Sequence, residues 1–497
     1  MPSCKESELV NYLAAFSASD LLLNNNLVHC SDVSRVTNET VTGISYDSRA
    51  IKPGYLFFCK GERFNKSYLT QAIKAGAIAY VSEQSYEAAF LGLSEEQMIP
   101  GIVVSDIRQA MPVACQVAFP GIADQLKLVA VTGTKGKSTT VYMLKSILDE
   151  WLKSEGKMPA ALLSGIQNFN GKESVVSRLT TEETFDIYSY MQAAVANGCE
   201  YLVMEVSSQA LKYHRVQGLH FTIGAFLNFS RDHIGPIEHP DMKDYLVSKL
   251  ALATQCDCMV LGAELNDEII TRAKDSFVGD NLVLVSGSIK GYNISLAGEM
   301  NAQNALSAIT IAQSLNIPDE FIKAGLAQVR VPGRMETFVA SWGAVIIVDY
   351  AHNGTSLELL LQLVHKQYPK RRVSLVFGCP GGKAPNRPAE MGAIAGKLAD
   401  DVILTEDDPY KKPVVLICDE IAKALSDAAV LAGRVVPKTR TIEDRTVAIH
   451  TAIDASDAMT VVVVAGKGHE NRQLRASGSV PIMTDSGVVA QYLAKKS

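Results

Sequence analysis

Residues 128–140 read LVAVTGTKGKSTT, and that order of residue types leaves little room for anything but a strand, a tight glycine loop and a helix. The apolar run 128–131 is too short and too unbroken for an amphipathic helix, so it predicts a buried parallel strand. Gly133 and Gly136 break it, and a helical pattern begins at Ser138. Such glycines let backbone N–H groups turn toward a phosphate, Lys137 adds a positive charge, and the Ser138 hydroxyl suits Mg²⁺. Gly133, Thr134, Lys135, Gly136, Lys137, Ser138 and Thr139 are therefore the expected phosphate-binding loop. It is shorter than the common nucleotide loop, since Thr134 and Lys135 alone separate the first glycine from the Gly-Lys pair. For this stretch by itself, a bare turn between strand and helix is the alternative.

A chain of 497 residues has room for about three such domains. With 47% apolar and 20% charged residues the composition is that of a globular protein, and a net charge of -6 gives no electrostatic basis for nucleic-acid binding. The nine cysteines show no CxxC pair and no metal or disulfide spacing, which suits a reduced, cytoplasmic setting, with Cys256 and Cys258 as packing residues. The opening residues lack the cationic start and apolar core of a signal peptide, and apolar runs such as 459–465 fall far short of the roughly 18 residues that a membrane span requires.

Residues 40–120 alternate short strands and helices, forming a small α/β unit in which Asp47, Ser48 and Arg49 are either a turn or part of a site. Phe119, Pro120 and Gly121 read as a linker, giving a first domain at 1–122. In the central domain, 123–332, Thr180 and Thr181 either cap the helix that follows or belong to a site. Glu205 stands at the end of the strand YLVME, on the edge where open α/β sheets bind ligands, and suits a metal. Asn228, Asp232 and His233 follow the next apolar strand in the same way. Lys249 reads as a surface lysine in isolation, and Asn301 and Asn304 either cap a helix or reach a ligand. After a second linker at VPGR, residues 333–497 show strands at AVIIVDYAH, RRVSLVFGC, DDVILTEDDP and MTVVVVAGKGHE, separated by helices, a doubly wound parallel sheet. Polar clusters follow each strand: Asp349 with His352, Lys383 to Arg387, Asp407 with Asp408, and Lys467 to Glu470. They are expected to outline a second site facing the first across a cleft.

In order along the chain, DSR at Asp47, TGTKGKS at Thr132, EVSSQ at Glu205, the HR pair at His214, NFSRDH at Asn228, GEMNAQNA at Gly298, VPGRME at Val331, DYAH at Asp349, DDP at Asp407 and AGKGHE at Ala465 resemble the Mur ligase family, ATP-dependent amide-forming enzymes of peptidoglycan synthesis. DHIGPIEHP, VPGRME, DYAHNG and DDP look most like its lysine-adding branch from Gram-positive bacteria. The resemblance implies a small N-terminal α/β domain for the UDP substrate, a central P-loop ATPase-type domain and a C-terminal Rossmann-like domain for the amino acid. It implies ATP and Mg²⁺, with Lys137 on the phosphates, Ser138, Glu205 and His233 on metal, and Lys249 as a carbamylated (N6-carboxylysine) metal ligand. Asn301, Arg334 and Asp349 would meet ATP, and His352 lies at that junction as a proton acceptor or a structural residue. Ser48, Thr180, Thr181, Ser207, Tyr213 and Arg215 would hold UDP-N-acetylmuramoyl-L-alanyl-D-glutamate, and Arg387, Asp407, Asp408, Gly466 and Glu470 the incoming amino acid. Three positions depart from the family pattern: Lys135 for Asn, Glu182 for Pro, and Tyr410 after DDP.

The implied reaction activates the D-Glu γ-carboxylate as an acyl phosphate, which an amine then attacks in the cytoplasm, on a monomeric enzyme. Where the diaminopimelate branch carries Arg after Asp-Asn-Pro, this chain has Asp407, Asp408, Pro409 and Tyr410 with Glu406 alongside, which favours a cationic terminus such as that of L-lysine, with ornithine next.

Overall fold

The computed structural model describes residues 16–17, 40–61, 64–232, 234–235, 238–382 and 384–496. His233 and Lys383 lie outside the described residues. Two compact units are present, one running to Asn293 and including Ala302–Gln328, the other made of Ile294–Asn301 and the chain from Val329 onward.

Among the described residues the first unit carries three sheets, one of them only the short antiparallel pair Phe16–Ser17 and Thr40–Val41; the other two are parallel in their main part. The smaller is four-stranded and parallel, Gly43–Ser45, Tyr55–Phe58, Ala79–Ser82 and Gly101–Val103 in that spatial order. Its inner strands YLFF and AYVS are buried at every position, as a parallel sheet covered on both faces requires. The larger sheet has eight strands, and the strand before the glycine loop, Lys127–Thr132, lies inside it between Tyr201–Glu205 and Phe221–Phe226. Leu128, Val129, Ala130 and Val131 have no solvent exposure, and each larger side chain among them contributes roughly 1.5–3 kcal/mol by burial. Parallel pairing sets Val131 opposite Glu205 on one side and Ala225 on the other. Three strand ends thereby reach the same edge, which is where a loop, an acid and Asn228 were expected from the apolar runs alone.

The helix after the loop starts at Lys137, one residue earlier than its periodicity suggests, and runs to Ser154. Gly136 caps it with φ +84°, a conformation glycine adopts without a Cβ penalty.

In the second unit a six-stranded sheet has Glu336–Val339 as an antiparallel edge, followed in space by Val345–Asp349, Thr460–Ala465, Arg372–Phe377, Asp401–Leu404 and Lys438–Thr441, all parallel. One face packs on Leu357, Leu361, Met391 and Ile421, the other on Ala448, Ile449, Ile453 and Val489, so helices cover both sides. The helices Arg387–Leu398 and Val414–Leu431 approach closely because Gly392 and Gly396 expose bare backbone; a Cβ there would stand 2.5 Å from Ile421 O and 2.2 Å from Leu425 O. Ile294–Asn301 joins this unit through the Ser295 hydroxyl, which donates to Val329 O at 2.5 Å. No helix among the described residues is long and apolar enough to cross a membrane.

Candidate active site

The glycine loop is clamped by the neighbouring strand's end. Asn228 accepts the Lys135 N–H on Oδ1 at 2.9 Å, donates from Nδ2 to Lys135 O at 3.1 Å, and accepts the Thr134 N–H on its carbonyl at 3.0 Å. Thr134 Oγ1 also accepts from Ser230 N at 3.1 Å and from the Tyr245 hydroxyl at 3.2 Å. The Lys135 backbone is thus fixed by Asn228.

Two ammonium groups converge on one carbonyl of the loop. Lys137 Nζ donates to Gly133 O at 2.9 Å and to Thr134 O at 3.3 Å, while Lys249 Nζ, from the helix Met242–Leu250, donates to Gly133 O at 2.8 Å. Lys249 is 1% exposed, contrary to its surface appearance in the sequence, and burial, reinforced by the charge of Lys137, holds its ammonium well below the ordinary lysine value. Gly136 leaves room here that a side chain would fill, since a Cβ would fall 2.1 Å from Asn304 Oδ1. Ser138 and Thr139 occupy the first turn, where backbone N–H groups lack intrahelical acceptors and favour anions.

Glu205 is 1% exposed, and its Oε1 accepts the Gly165 N–H at 2.8 Å. Thr181 does not cap the helix Thr184–Ala196, whose N-cap is Glu183; its hydroxyl instead donates to Glu205 O at 2.9 Å and accepts from Ser207 N at 2.9 Å. Arg215 Nη1 donates to Thr181 O at 3.0 Å, so Thr181, Glu205, Ser207 and Arg215 form one group. Ser207 itself caps the short helix Ser208–Lys212. Thr180 is exposed beside them, and Ser48, buried in the 3-10 turn Ser48–Ala50 that follows the strand Gly43–Ser45, donates to Gln71 at 2.9 Å. Glu182 accepts from Asn168 Nδ2 and Arg178 N, both at 2.9 Å, which gives this departure from the family pattern a structural use: its carboxylate closes the loop that a proline would otherwise stiffen.

A cavity of about 60 Å³ is lined by Lys60, Arg108, Met111, Glu183, Thr184, Tyr213 and Arg215. Glu183 pairs with Lys60 and, at 3.1 Å, with Arg215, while the Arg108 guanidinium stacks 3.7 Å above the Tyr213 ring. Sequence reading found Tyr213 and Arg215 but not Lys60 and Arg108, which come from the small α/β region and acquire a setting only through packing.

No group of three or more His, Cys, Asp or Glu side chains able to hold a metal occurs among the described residues. The donor set nevertheless suits Mg²⁺, which keeps most of its waters and takes one or two protein oxygens beside phosphates. The Gly133 to Gly136 turn and the following helix N-terminus supply the cradle for those phosphates.

In the second unit the polar clusters gather on the carboxyl edge of the parallel strands. Asp349 accepts the Met335 and Ala351 N–H groups, each at 2.8 Å, and its burial raises its carboxyl above the usual range. The Arg334 guanidinium lies 4.3 Å over the Tyr350 ring and donates to His469 Nδ1 at 3.3 Å. His352 precedes the helix Gly354–Gln367, which Asn353 caps; its Nδ1 meets Tyr350 O at 2.9 Å, and burial, then Arg387, lower its pKa. Asn301 is inside the helix Glu299–Ser314 rather than at a cap, and its Nδ2 donates to Ala297 O at 2.8 Å.

Asp407, Asp408 and Glu470 surround Lys467, whose Nζ lies 3.7, 3.0 and 2.8 Å from them. Glu406 pairs with Arg475 at 2.5 Å. Counting acids in the sequence therefore overstates the negative field, because buried Lys467 and exposed Arg475 stand against them. Burial pushes Asp407 up to about 6, and Gly466, at φ +115°, leaves it space that a Cβ would take at 2.6 Å from Oδ2. Asp408 and Tyr410 hold positive φ angles of +48° and +54°, so the DDPY turn is bent where the acids are presented.

The Mur ligase middle domain description matches residues 131–278, and the Mur ligase glutamate ligase domain matches 333–468. UDP-N-acetylmuramoyl-L-alanyl-D-glutamate--L-lysine ligase of Streptococcus thermophilus is 38% identical over 92% of this chain and 94% of its own length. The chain belongs to the Mur ligase family. Within it, this Mur ligase falls with the lysine-adding branch. The structure of a UDP-N-acetylmuramoyl-L-alanyl-D-glutamate--2,6-diaminopimelate ligase superposes with TM-score 0.62 at 21% identity, covering 97% of this chain and 100% of the other. MurF ligase from Thermotoga maritima in complex with ADP gives TM-score 0.57 at 14% identity, covering 91% and 98%. At those identities the likeness concerns the fold, and this Mur ligase has the family's three-domain α/β architecture.

Proposed function

We propose that this Mur ligase joins L-lysine to the D-Glu γ-carboxylate of UDP-N-acetylmuramoyl-L-alanyl-D-glutamate at the expense of ATP, through an acyl phosphate, as a cytoplasmic monomer in peptidoglycan precursor synthesis. The observation that carries the reading is its likeness, over nearly the whole chain, to a ligase of that name. Residues 1–122 would bind the UDP end, 123–332 the nucleotide, and 333–497 the amino acid.

Lys137 and the N–H groups at the start of its helix hold the phosphates, and Asn228 keeps the loop in shape. Ser138, Glu205, His233 and a carbamate on Lys249 would hold Mg²⁺, which would screen the phosphate charge. Lys249 is suited to that modification because its buried amine favours the neutral form, which adds CO₂ with release of a proton. Thr180, Thr181, Ser207, Tyr213 and Arg215, with Ser48, position the muramyl dipeptide. Asn301, Arg334 and Asp349 would meet ATP. Arg387, Asp407, Asp408, Gly466 and Glu470 receive the amino acid. His352 donates from Nδ1 to Tyr350 O, which leaves Nε2 as a neutral proton acceptor for the attacking amine.

The test is phosphate release with the muramyl dipeptide, ATP and a panel of L-lysine, L-ornithine and meso-diaminopimelate. Lysine should give the highest kcat/KM; efficient turnover with diaminopimelate but not lysine refutes the assignment, and dipeptide-independent ATP hydrolysis alone would favour a phosphate-loop ATPase instead.

A further inference from the structure

Lys467 is a fully buried cation of the second unit held by three carboxylates. Its side chain has 0% exposure, yet its ammonium reaches Glu470 Oε2 at 2.8 Å, Asp408 Oδ1 at 3.0 Å and Asp407 Oδ1 at 3.7 Å. Asp408 and Glu470 remain about one-third exposed, at 36% and 34%. A cation that no solute can touch therefore holds two acids that a solute can.

Each acid has a further fixed partner. The Tyr350 hydroxyl donates to Glu470 Oε1 at 2.9 Å, and Leu474 N donates to Asp408 Oδ1 at 2.8 Å. Of the other charges nearby, Glu406 pairs with Arg475 and Asp485 with Arg445 at 2.7 Å, while Arg387 adds a positive charge beside His352 and Cys379 that offsets part, not all, of the surplus. Arg334 stacks on Tyr350 and bonds to His469. Three carboxylates against one ammonium leave a negative surplus, and its position is fixed by Lys467 and Tyr350.

We propose that Lys467 is a positioning residue that sets amino-acid specificity: it pins the carboxylates of Asp408 and Glu470 and cancels one charge, leaving a rigid, net-negative socket for a side-chain ammonium. The inference rests on the ligase reading above. Without Lys467, repulsion among three neighbouring carboxylates favours uptake of a proton, and the socket weakens as the pH falls. A lysine that only cemented the loop would, when lost, harm every step alike.

The experiment uses the full chain as wild type, Lys467→Met and Tyr350→Phe. It measures the L-lysine KM from about pH 6.5 to 9, and acyl-phosphate formation without amino acid, trapped by hydroxylamine as the hydroxamate. For Lys467→Met the lysine KM should rise about tenfold or more near neutral pH and by less at high pH, with hydroxamate formation retained. Preference for lysine over uncharged norleucine should fall by a similar factor. An unchanged lysine KM, or an equal loss of hydroxamate formation and lysine turnover, overturns the proposal. Should Lys467→Met not fold, Tyr350→Phe decides: it frees Glu470 Oε1, and a KM for lysine that stays at the wild-type value refutes the pinned socket. Wild type that forms hydroxamate but no amide with any cationic amino acid would instead sink the ligase reading.

Discussion

Replacing Arg445 by Met tests how the loop after strand Thr460–Ala465 is held. Arg445 and Asp485 are 6% and 2% exposed, and the guanidinium meets the carboxylate twice at 2.7 Å. Arg445 Nη2 also donates to Ala465 O at 2.9 Å, and Asp485 Oδ2 accepts the Gly468 N–H at 3.0 Å, so the pair ties the first and fourth residues of the AGKGHE turn to the helices Arg445–Asp454 and Asp485–Lys496. Burial opposes the charge on Arg445, and Asp485 overrides it, raising the guanidinium's already high pKa. Arg445→Met leaves Asp485 buried and unmatched, a cost of about 3–5 kcal/mol. For a domain of about 150–250 residues, at about 2–4 °C per kcal/mol, the transition that melts the second unit should fall by about 6–20 °C. The double variant Arg445→Met, Asp485→Leu removes both charges and should recover all but about 1–3 kcal/mol, the remainder reflecting the unsatisfied Gly468 N–H. Calorimetry of the four members of this cycle is the assay. A single-variant loss below about 1 kcal/mol, or simple additivity in the double variant, would refute the claim that the pair is a coupled buried anchor.

Further outcomes follow from the same geometry. Lys249→Met should abolish ligation yet, against wild type freed of CO₂ so that its amine is unmodified, raise the thermal midpoint at neutral pH, because the folded amine binds fewer protons than the unfolded one below its ordinary pKa, so wild-type stability rises with pH through that window; Gly133 O keeps Lys137 as donor, and a lower midpoint would contradict this. Asp407, at about 6 when folded against 3.8, contributes stability that is full below the unfolded value and lost as pH rises through about 6, so Asp407→Asn should melt higher than wild type above that pH and equally near pH 4, in a pH series of melts. In the same protein the lysine KM should rise on acidification through about 6, and Asp407→Asn should remove that dependence. Gly136→Ala forces a side chain into φ +84° and against Asn304, costing about 1–2 kcal/mol locally, and by shifting the loop should lower kcat/KM for ATP about a hundredfold; wild-type kinetics would refute the cradle.

Much of this protein was legible in its order of residues, because apolar runs separated by glycine and polar turns specify parallel strands, and those strands must end on a common edge. Gly133 to Ser138, Glu205, Asn228, Asp349, Asp407 and Glu470 were found that way, each just past such a run. Periodicity carries no partner, however. It placed Lys249 at the surface, where folding buries it against Gly133 O; it offered Thr181 as a cap, where its hydroxyl holds Glu205 and Ser207; and it left Asp407, Asp408 and Glu406 as bare charge, where Lys467 and Arg475 meet them. Strand and loop identity depend on neighbours a few residues apart along the chain. Charge, protonation and reach depend on atoms a few ångströms apart in space, and only the tertiary structure brings those together.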